Sequence, residues 1–204
     1  MGEQDAWISF QEGDQSGLEE IYRKFYNQLY DYGFKWLRNP QLVEDSIQDL
    51  FIKLMRNKAG LAVPNSVRHY LFSSFRSIVL DKLKSEKRVF PLDESSLSGF
   101  KLQLNPETVL VGRQEDQNLQ KRLQQSLEKL TPRQREAVFL RYFEGFSYPE
   151  VASILDLSTK ATYKLMARAI EALREVMPIL LSFLFACAFV GIELSKKIIS
   201  EMVG

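Results

Sequence analysis

The chain has 204 residues, of which 45% are hydrophobic and 26% are charged, a composition typical of one or two small globular domains. Lys and Arg number 27 and Asp and Glu number 26, so the charge balance neither requires nor excludes a nucleic-acid ligand. The single cysteine excludes an intrachain disulfide and a cysteine-based zinc site, and the single histidine excludes paired-histidine metal motifs.

Three amphipathic helices are predicted in the first part of the chain. Apolar residues recur at steps of three and four over residues 18–36, 43–54 and about 66–87. Asn39-Pro40 separates the first two helices, because proline disfavours helical backbone at the residue before it. A loop at about 57–65 separates the second helix from the third. No segment has the alternating pattern of a strand, so we predict an all-α fold.

A change of composition divides the chain into two helical domains. Residues 89–117 contain scattered Pro, Gly, Ser and acidic residues, which indicates a flexible linker that can include short ordered pieces. We therefore predict a first domain at 1–88 and a second at 118–175. The remaining residues, 176–204, form an apolar C-terminal extension that we expect to contain a helix.

The second domain contains three sequence signals for the start of a helix. Thr131 and Gln134 fit a capping box with proline at the first helical position, and Ser147 and Glu150 fit another. Ser158 is expected to cap a final helix that ends near residue 175. A short helix, a tight turn and a longer basic helix are typical of a helix-turn-helix motif.

Basic residues of the final helix share one face. With Met166 placed toward the core, the side chains of Lys160, Lys164 and Arg168 lie on the opposite side. Such a face suits the major groove of DNA, where phosphates and guanine edges accept hydrogen bonds. The alternative is an ordinary solvated helix face.

The second and third helices carry two further candidate surfaces. The third interleaves Tyr70, Phe72 and Phe75 with basic residues, which suits single-stranded nucleic acid unless the aromatic rings belong to the core. On the second, Asp45 and Asp49 share a face with an amide and an isoleucine, which indicates a protein-contact patch or an ordinary polar face. No Gly-rich phosphate loop, nucleophile elbow or metal-ligand spacing is present, so we predict no catalytic site, metal or cofactor.

Seventeen uncharged residues, 176–192, follow the final helix. Seventeen is the short limit for a membrane span, and Pro178 lies near the start of the segment. The segment could pack on the chain's own domains, bind a regulator or enter a membrane. We predict a regulatory packing element, because a membrane anchor would tether the adjacent basic helix away from DNA.

Several stretches, taken in order, resemble the extracytoplasmic-function subfamily of sigma-70 RNA polymerase sigma factors. Residues 45–51, DSIQDLF, resemble the motif that binds core polymerase, and residues 70–81 resemble the helix that melts and reads the minus-ten element. Residues 130–135 and 142–152 resemble the start of the fourth sigma region. The resemblance covers residues 16–88 and 118–175 and implies that the first domain is sigma region 2 and the second is sigma region 4.

The resemblance implies a role for each surface. Polymerase binding would involve Asp45, Gln48, Asp49, Phe51 and Ile52. Minus-ten DNA would contact Tyr70, Arg76, Ser77, Asp81, Lys84, Lys87 and Arg88. Minus-thirty-five DNA would contact Ser158, Thr159, Lys160, Tyr163, Lys164 and Arg168. Residues 161–163, ATY, depart from the family's usual triplet in the recognition helix, so we expect an unusual upstream-element preference.

The implied partners are core RNA polymerase, promoter DNA and a regulatory protein such as an anti-sigma factor, with no small-molecule substrate. The implied location is the cytoplasm, with membrane association through residues 176–192 as the alternative. A different class of function is also compatible with the motifs. A stand-alone helix-turn-helix regulator with a sensor as its first domain would bind duplex DNA without polymerase. A tail-anchored adaptor is the third class.

Overall fold

A computed structural model describes residues 2–89, 99–102 and 124–174. All regular structure in these residues is helical, as predicted. The first domain contains α1 (Glu3–Glu12), α2 (Gln15–Leu37), α3 (Pro40–Asn57), a 3-10 turn (Lys58–Gly60) and α4 (Val67–Val89). The second contains a helical stretch at 124–129, α5 (Pro132–Val138), a π-helical turn (Phe139–Phe143), α6 (Tyr148–Ile154) and α7 (Thr159–Ala172).

The predicted helix starts are confirmed by side-chain caps. Thr131 and Ser147 each form a complete capping box, and proline occupies the first turn of both helices. The Ser158 hydroxyl accepts a hydrogen bond from the amide of Ala161 at 3.2 Å. These caps satisfy amide groups that would otherwise lack a partner at a helix N-terminus.

The first helix, α1, was not predicted, and it belongs to the core of the first domain. Its ten residues are too few for a clear helical period, yet Trp7 and Phe10 are buried. The helix crosses α2 at Gly17, where a Cβ atom would lie 2.4 Å from the carbonyl oxygen of Ala6. Glycine is therefore required at this crossing.

One continuous core joins the two domains. Phe100 is fully buried, and its ring centroid lies 5.5 Å from those of Trp36 in α2 and Phe139 in the second domain. The amide of Lys101 donates to the carbonyl oxygen of Lys35 at 2.9 Å. Residues 99–102 are thus a short ordered piece within the predicted linker, packed between the two domains.

The rest of the predicted linker and the apolar segment 176–192 lie outside the described residues. The predictions for that segment, including its helix, its packing and its membrane alternative, lie there too. Among the helices that the structure describes, none combines the length and the apolarity needed to cross a membrane.

Candidate nucleic-acid and partner interfaces

One face of α7 is buried and the opposite face is exposed, as the sequence predicted. Thr162, Met166 and Ala169 are buried against the second domain. The opposite face is exposed and carries Ser158, Thr159, Lys160, Tyr163, Lys164 and Arg168. In the described part of the chain, the two lysines and the arginine form no ion pair, so their charges are available to a polyanion.

The turn before α7 is held by α5. Asp156 adopts a left-handed backbone conformation with φ of 53°, and the amide of Leu157 donates to the carbonyl oxygen of Ala152 at 2.8 Å. Arg133 of α5 donates from its guanidinium to the carbonyl oxygen of Leu155 at 2.9 Å. A helix-turn-helix geometry results, in which α6 supports α7 and leaves the basic face free.

Tyr163 is placed on the exposed face of α7 by a stack of side chains. Its ring is 54% exposed and stacks on Tyr148 of α6, with centroids 4.4 Å apart and an interplanar angle of 21°. The guanidinium of Arg141, a residue of the π-helical turn, lies 5.2 Å from the centroid of the Tyr148 ring. The stack orients an aromatic ring beside the basic residues, and the sequence did not identify Tyr148 as its support.

The α3 surface offers acidic, amide and apolar groups to solvent. Gln48, Asp49 and Ile52 are exposed and Asp45 is half-buried. Phe51 is 6% exposed and meets Tyr22 edge-on with centroids 4.9 Å apart. Most of the Phe51 ring therefore belongs to the core of the first domain, and its small exposed part lines a groove beside the α3 surface.

An apolar groove runs beside this α3 surface. It has a volume of about 410 Å³ and is lined by Gln15, Leu18, Glu19, Tyr22, Phe51 and Met55. Met55 is 51% exposed and Tyr22 is 41% exposed, so a partner bound to α3 would meet apolar surface there. Sequence reasoning missed both residues as partner contacts, although the spacing of Met55 from Phe51 and Ile52 on the same helix could have indicated Met55.

The aromatic residues of α4 serve mainly the core. Phe72 and Phe75 are fully buried, which favours core packing for these two rings over the alternative of base stacking. Tyr70 is half-buried, with its ring 5.2 Å from that of Trp7 in an edge contact. Buried rings at these positions hold α4 against α2.

The guanidinium of Arg76, a predicted DNA contact, is bound by a carboxylate of the second domain. Its Nε lies 2.8 Å from Oε1 of Glu136, and Nη2 lies 3.2 Å from Oε2. The hydroxyl of Tyr32 donates to the same Oε1 at 2.6 Å, and burial raises the pKa of Tyr32 well above its ordinary value. A phosphate cannot reach Arg76 while this contact is made.

Three further predicted residues of α4 lie on its outer face. Ser77, Asp81 and Lys84 are exposed, and the Lys84 Nζ lies 3.1 Å from the Asp81 carboxylate. The side chains of Lys87 and Arg88 lie outside the described part of the structure. In the residues that it does describe, no group of His, Cys, Asp and Glu could hold a metal ion.

Two family models match the chain in the order of its two domains. The model described as Sigma-70 region 2 matches residues 21–89, and the model described as Sigma-70, region 4 matches residues 120–173. Together these matches span more than half of the chain. The helical first domain and the helix-turn-helix of the second therefore define a two-domain protein of the sigma-70 class.

Curated relatives identify the subfamily. RNA polymerase sigma factor CarQ of Myxococcus xanthus is 23% identical over 168 residues, which cover 82% of this chain and 93% of CarQ. ECF RNA polymerase sigma factor SigW of Bacillus subtilis is 24% identical over 80% of this chain and 90% of SigW. The chain belongs to the extracytoplasmic-function subfamily of the sigma-70 family.

A solved structure supports the fold. Sigma factor RpoE of Bartonella quintana, solved in complex with the anti-sigma factor NepR, superposes with a TM-score of 0.57 at 20% identity. The match covers 79% of this chain and 97% of RpoE. The predicted all-α class with two sigma-region domains is thus confirmed.

Proposed function

We propose that this protein is an alternative sigma factor that binds core RNA polymerase and directs it to a set of promoters. The observation that carries the proposal is the exposed basic face of α7, presented by a complete helix-turn-helix in a chain of this family. On this proposal the protein is an initiation factor without catalytic chemistry of its own. It acts in the cytoplasm, where polymerase and chromosomal DNA meet.

Polymerase binding is assigned to the exposed α3 residues and the groove beside them. Asp45, Gln48 and Asp49 offer hydrogen-bond acceptors, and Ile52 offers apolar surface. The adjoining groove extends this apolar surface to Tyr22. A polar rim beside an apolar centre is the usual anatomy of a protein interface.

Upstream DNA is assigned to α7. Lys160 and Lys164 bind phosphate, and Arg168 binds phosphate or braces the helix. Tyr163 lies among these cations with its ring orientation set by Tyr148, so it contributes base contacts that a smaller side chain could not make. We therefore expect an upstream preference that differs from that of relatives with other residues at 161–163.

Minus-ten DNA is assigned to the outer part of α4. Tyr70, Ser77, Asp81, Lys84, Lys87 and Arg88 are the assigned residues, together with Arg76 once its contact with Glu136 is released. We also propose that a regulatory protein of the anti-sigma class binds this chain. Support comes from the RpoE structure, which was solved with such a partner.

Transcription reconstituted in vitro with core polymerase tests the proposal. Adding the full chain should produce initiation at a discrete subset of genomic promoters, and core polymerase alone should not. Asp49→Lys should weaken core binding by about 1–3 kcal/mol, because it reverses a charge at the centre of the proposed interface. Glu12→Lys, an equal charge change at an exposed site on α1, is the control.

The outcome also separates the two classes of function. A stand-alone regulator would bind duplex DNA sequence-specifically but would neither be retained by core polymerase nor start transcription. Equal retention of the wild-type chain and an Asp45→Lys, Asp49→Lys double variant would contradict the α3 assignment.

A further inference from the structure

The exposed face of α7 carries a second stripe of side chains beside its basic one. Thr159, Tyr163 and Ala167 follow one another at intervals of four residues, so they share a line along the helix. All three are exposed, as are the neighbouring cations Lys160 and Lys164. Tyr163 has the largest side chain of the three, and its ring therefore extends furthest from the helix axis.

Tyr163 lies in the part of α7 that meets the bases when a helix-turn-helix binds DNA. The helix begins at Thr159, after the Ser158 cap, so Tyr163 is just over one turn from its start. In this motif, residues near the N-terminus of the second helix contact base edges in the major groove. The adjoining lysines are suited to phosphates, which fix the register of the protein on the duplex. The ring of Tyr163 is therefore directed at the bases.

The orientation of this ring is set by a neighbour that is itself anchored. Tyr148, in the first turn of α6, stacks on one face of Tyr163 with centroids 4.4 Å apart. Tyr148 is half-buried, and the guanidinium of Arg141 lies over its ring at 5.2 Å. Nη1 of Arg141 donates to the carbonyl oxygen of Phe146 at 2.9 Å, which ties the stack to the backbone. A side chain that is oriented before binding loses less entropy when it binds.

One face and the edge of the Tyr163 ring remain available to a ligand. The hydroxyl group can donate or accept a hydrogen bond, and base edges in the major groove offer both acceptors and donors. This group by itself therefore distinguishes bases poorly. The ring carbons, in contrast, are covered favourably by apolar atoms. The apolar group that a base pair presents in the major groove is the methyl group of thymine.

We propose that Tyr163 packs its ring on the methyl group of a thymine in the upstream promoter element, and that Tyr148 is the positioning residue that sets the ring for this contact. The upstream element as the source of the thymine rests on the proposed function. The contact between the ring and a thymine methyl group requires only that α7 enters the major groove of duplex DNA. The expected upstream preference then has a chemical basis, which is one position that requires thymine.

The test measures how strongly binding depends on single thymine methyl groups. The full chain, with and without core polymerase, selects duplexes from a random library long enough to hold both promoter elements. In the best selected duplex each thymine is replaced in turn by uracil, which lacks only the methyl group. The wild-type chain should lose about fourfold in affinity at one upstream position, the loss that corresponds to one buried methyl group.

Variants of the two tyrosines separate the ring, its hydroxyl group and its support. Tyr163→Ala should abolish the sensitivity to uracil, and Tyr163→Phe should retain it, because the ring makes the contact. Tyr148→Leu should lose most of the sensitivity, whereas Tyr148→Phe keeps a stacked ring and should retain it. Phe143→Ala removes a ring that is 43% exposed outside the helix-turn-helix, and this matched control should behave like the wild-type chain.

The ratio of thymine to uracil affinity is the deciding quantity, because a general loss of folding weakens both duplexes equally. A wild-type chain that is insensitive to uracil at every position would overturn the thymine contact, and so would sensitivity that survives Tyr163→Ala. If Tyr163→Phe were as insensitive as Tyr163→Ala, the hydroxyl group and not the ring would read the base. An unchanged ratio in Tyr148→Leu would overturn the positioning role of Tyr148.

Failure of the proposed function has a different signature. If the wild-type chain never programmes core polymerase, yet selects duplexes alone with the expected sensitivity to uracil, the sigma-factor role is rejected and the thymine contact stands. If the chain programmes polymerase and no position is sensitive to uracil, the role stands and the contact is rejected.

Discussion

The two basic helices, α4 and α7, look alike in sequence and differ in the folded protein. Residues 68–88 carry six Lys and Arg against two acidic residues, and residues 158–174 carry four against one. In the structure Arg68 and Arg76 of α4 are bound by carboxylates of the other domain. In α7, Lys160, Lys164 and Arg168 face solvent.

The difference shows that a basic stripe identifies the charge of a ligand and not its identity. A guanidinium on α4 is satisfied equally by a carboxylate of this chain and by a phosphate of DNA. Only the packing of the second domain onto the first decides that a carboxylate is the partner of Arg76 in the folded protein. No element of the described structure packs over the basic face of α7, so its cations remain free.

The largest expected effect is a difference in folding stability between variants that lose an arginine from α4 and variants that lose one from α7. Arg76→Ala should lower the free energy of unfolding by up to about 3–5 kcal/mol, because it leaves Glu136 buried without a cation. Arg168→Ala should change it by less than about 0.5 kcal/mol, since its side chain is exposed. Urea unfolding of both variants measures the contrast. Equal losses in the free energy of unfolding would show that Arg76 stabilises the fold no more than Arg168 does.

The next effect concerns the contact that keeps α4 occupied. Phe100→Ala should cost about 3 kcal/mol, because it opens a cavity among Tyr32, Trp36 and Phe139. The matched control, Phe34→Ala, truncates a ring on the outer face of α2 that is 40% exposed, and it should cost less than about 1 kcal/mol. Thermal unfolding distinguishes them. A smaller loss for Phe100 than for Phe34 would be incompatible with a shared core.

The third expected effect is a difference between α7 and α4 in their contribution to DNA binding. Lys164→Ala should lower the salt dependence of duplex binding by about one unit, because one phosphate contact is lost. Arg68→Gln should leave this slope unchanged, since the proposed function assigns upstream duplex DNA to α7 and not to α4. The slope comes from affinities measured over a range of salt concentrations. An unchanged slope for both Lys160→Ala and Lys164→Ala would remove α7 from the DNA interface.

The smallest effect is a pH dependence at the second interdomain contact. Burial raises the pKa of the Glu144 carboxylate, although Arg68 opposes the change. The folded state therefore takes up this proton more readily than the unfolded state. Relative to Glu144→Gln, the wild-type chain should gain stability as the pH falls from 7 through the pKa of folded Glu144. Below the ordinary glutamate pKa the difference should become constant. Urea unfolding at a series of pH values measures it, and a difference that grew with rising pH would contradict the assignment.

Much of the fold followed from local patterns, and the exceptions have physical causes. The caps at Thr131, Ser147 and Ser158 were correctly predicted because a cap depends on residues within one helical turn. Helix α1 was missed because ten residues give too few repeats to establish a period. The π-helical turn was missed because its five residues are too few to show a period that differs from that of an α-helix.

The sequence by itself determined the all-α class, the helix-turn-helix, the exposed face of α7 and the sigma-factor resemblance. All of these rest on helical periodicity, capping chemistry or motifs of a few residues. Only the tertiary structure decided that Phe51, Phe72 and Phe75 are core and that Arg76 is bound to Glu136. The latter pair is separated by 60 positions. Nothing in a local pattern distinguishes a buried aromatic from one that stacks on a base, or a guanidinium paired within the protein from one left for DNA. The burial of these aromatic rings depends on how the helices of the first domain pack, and the pairing of Arg76 depends on how the two domains meet.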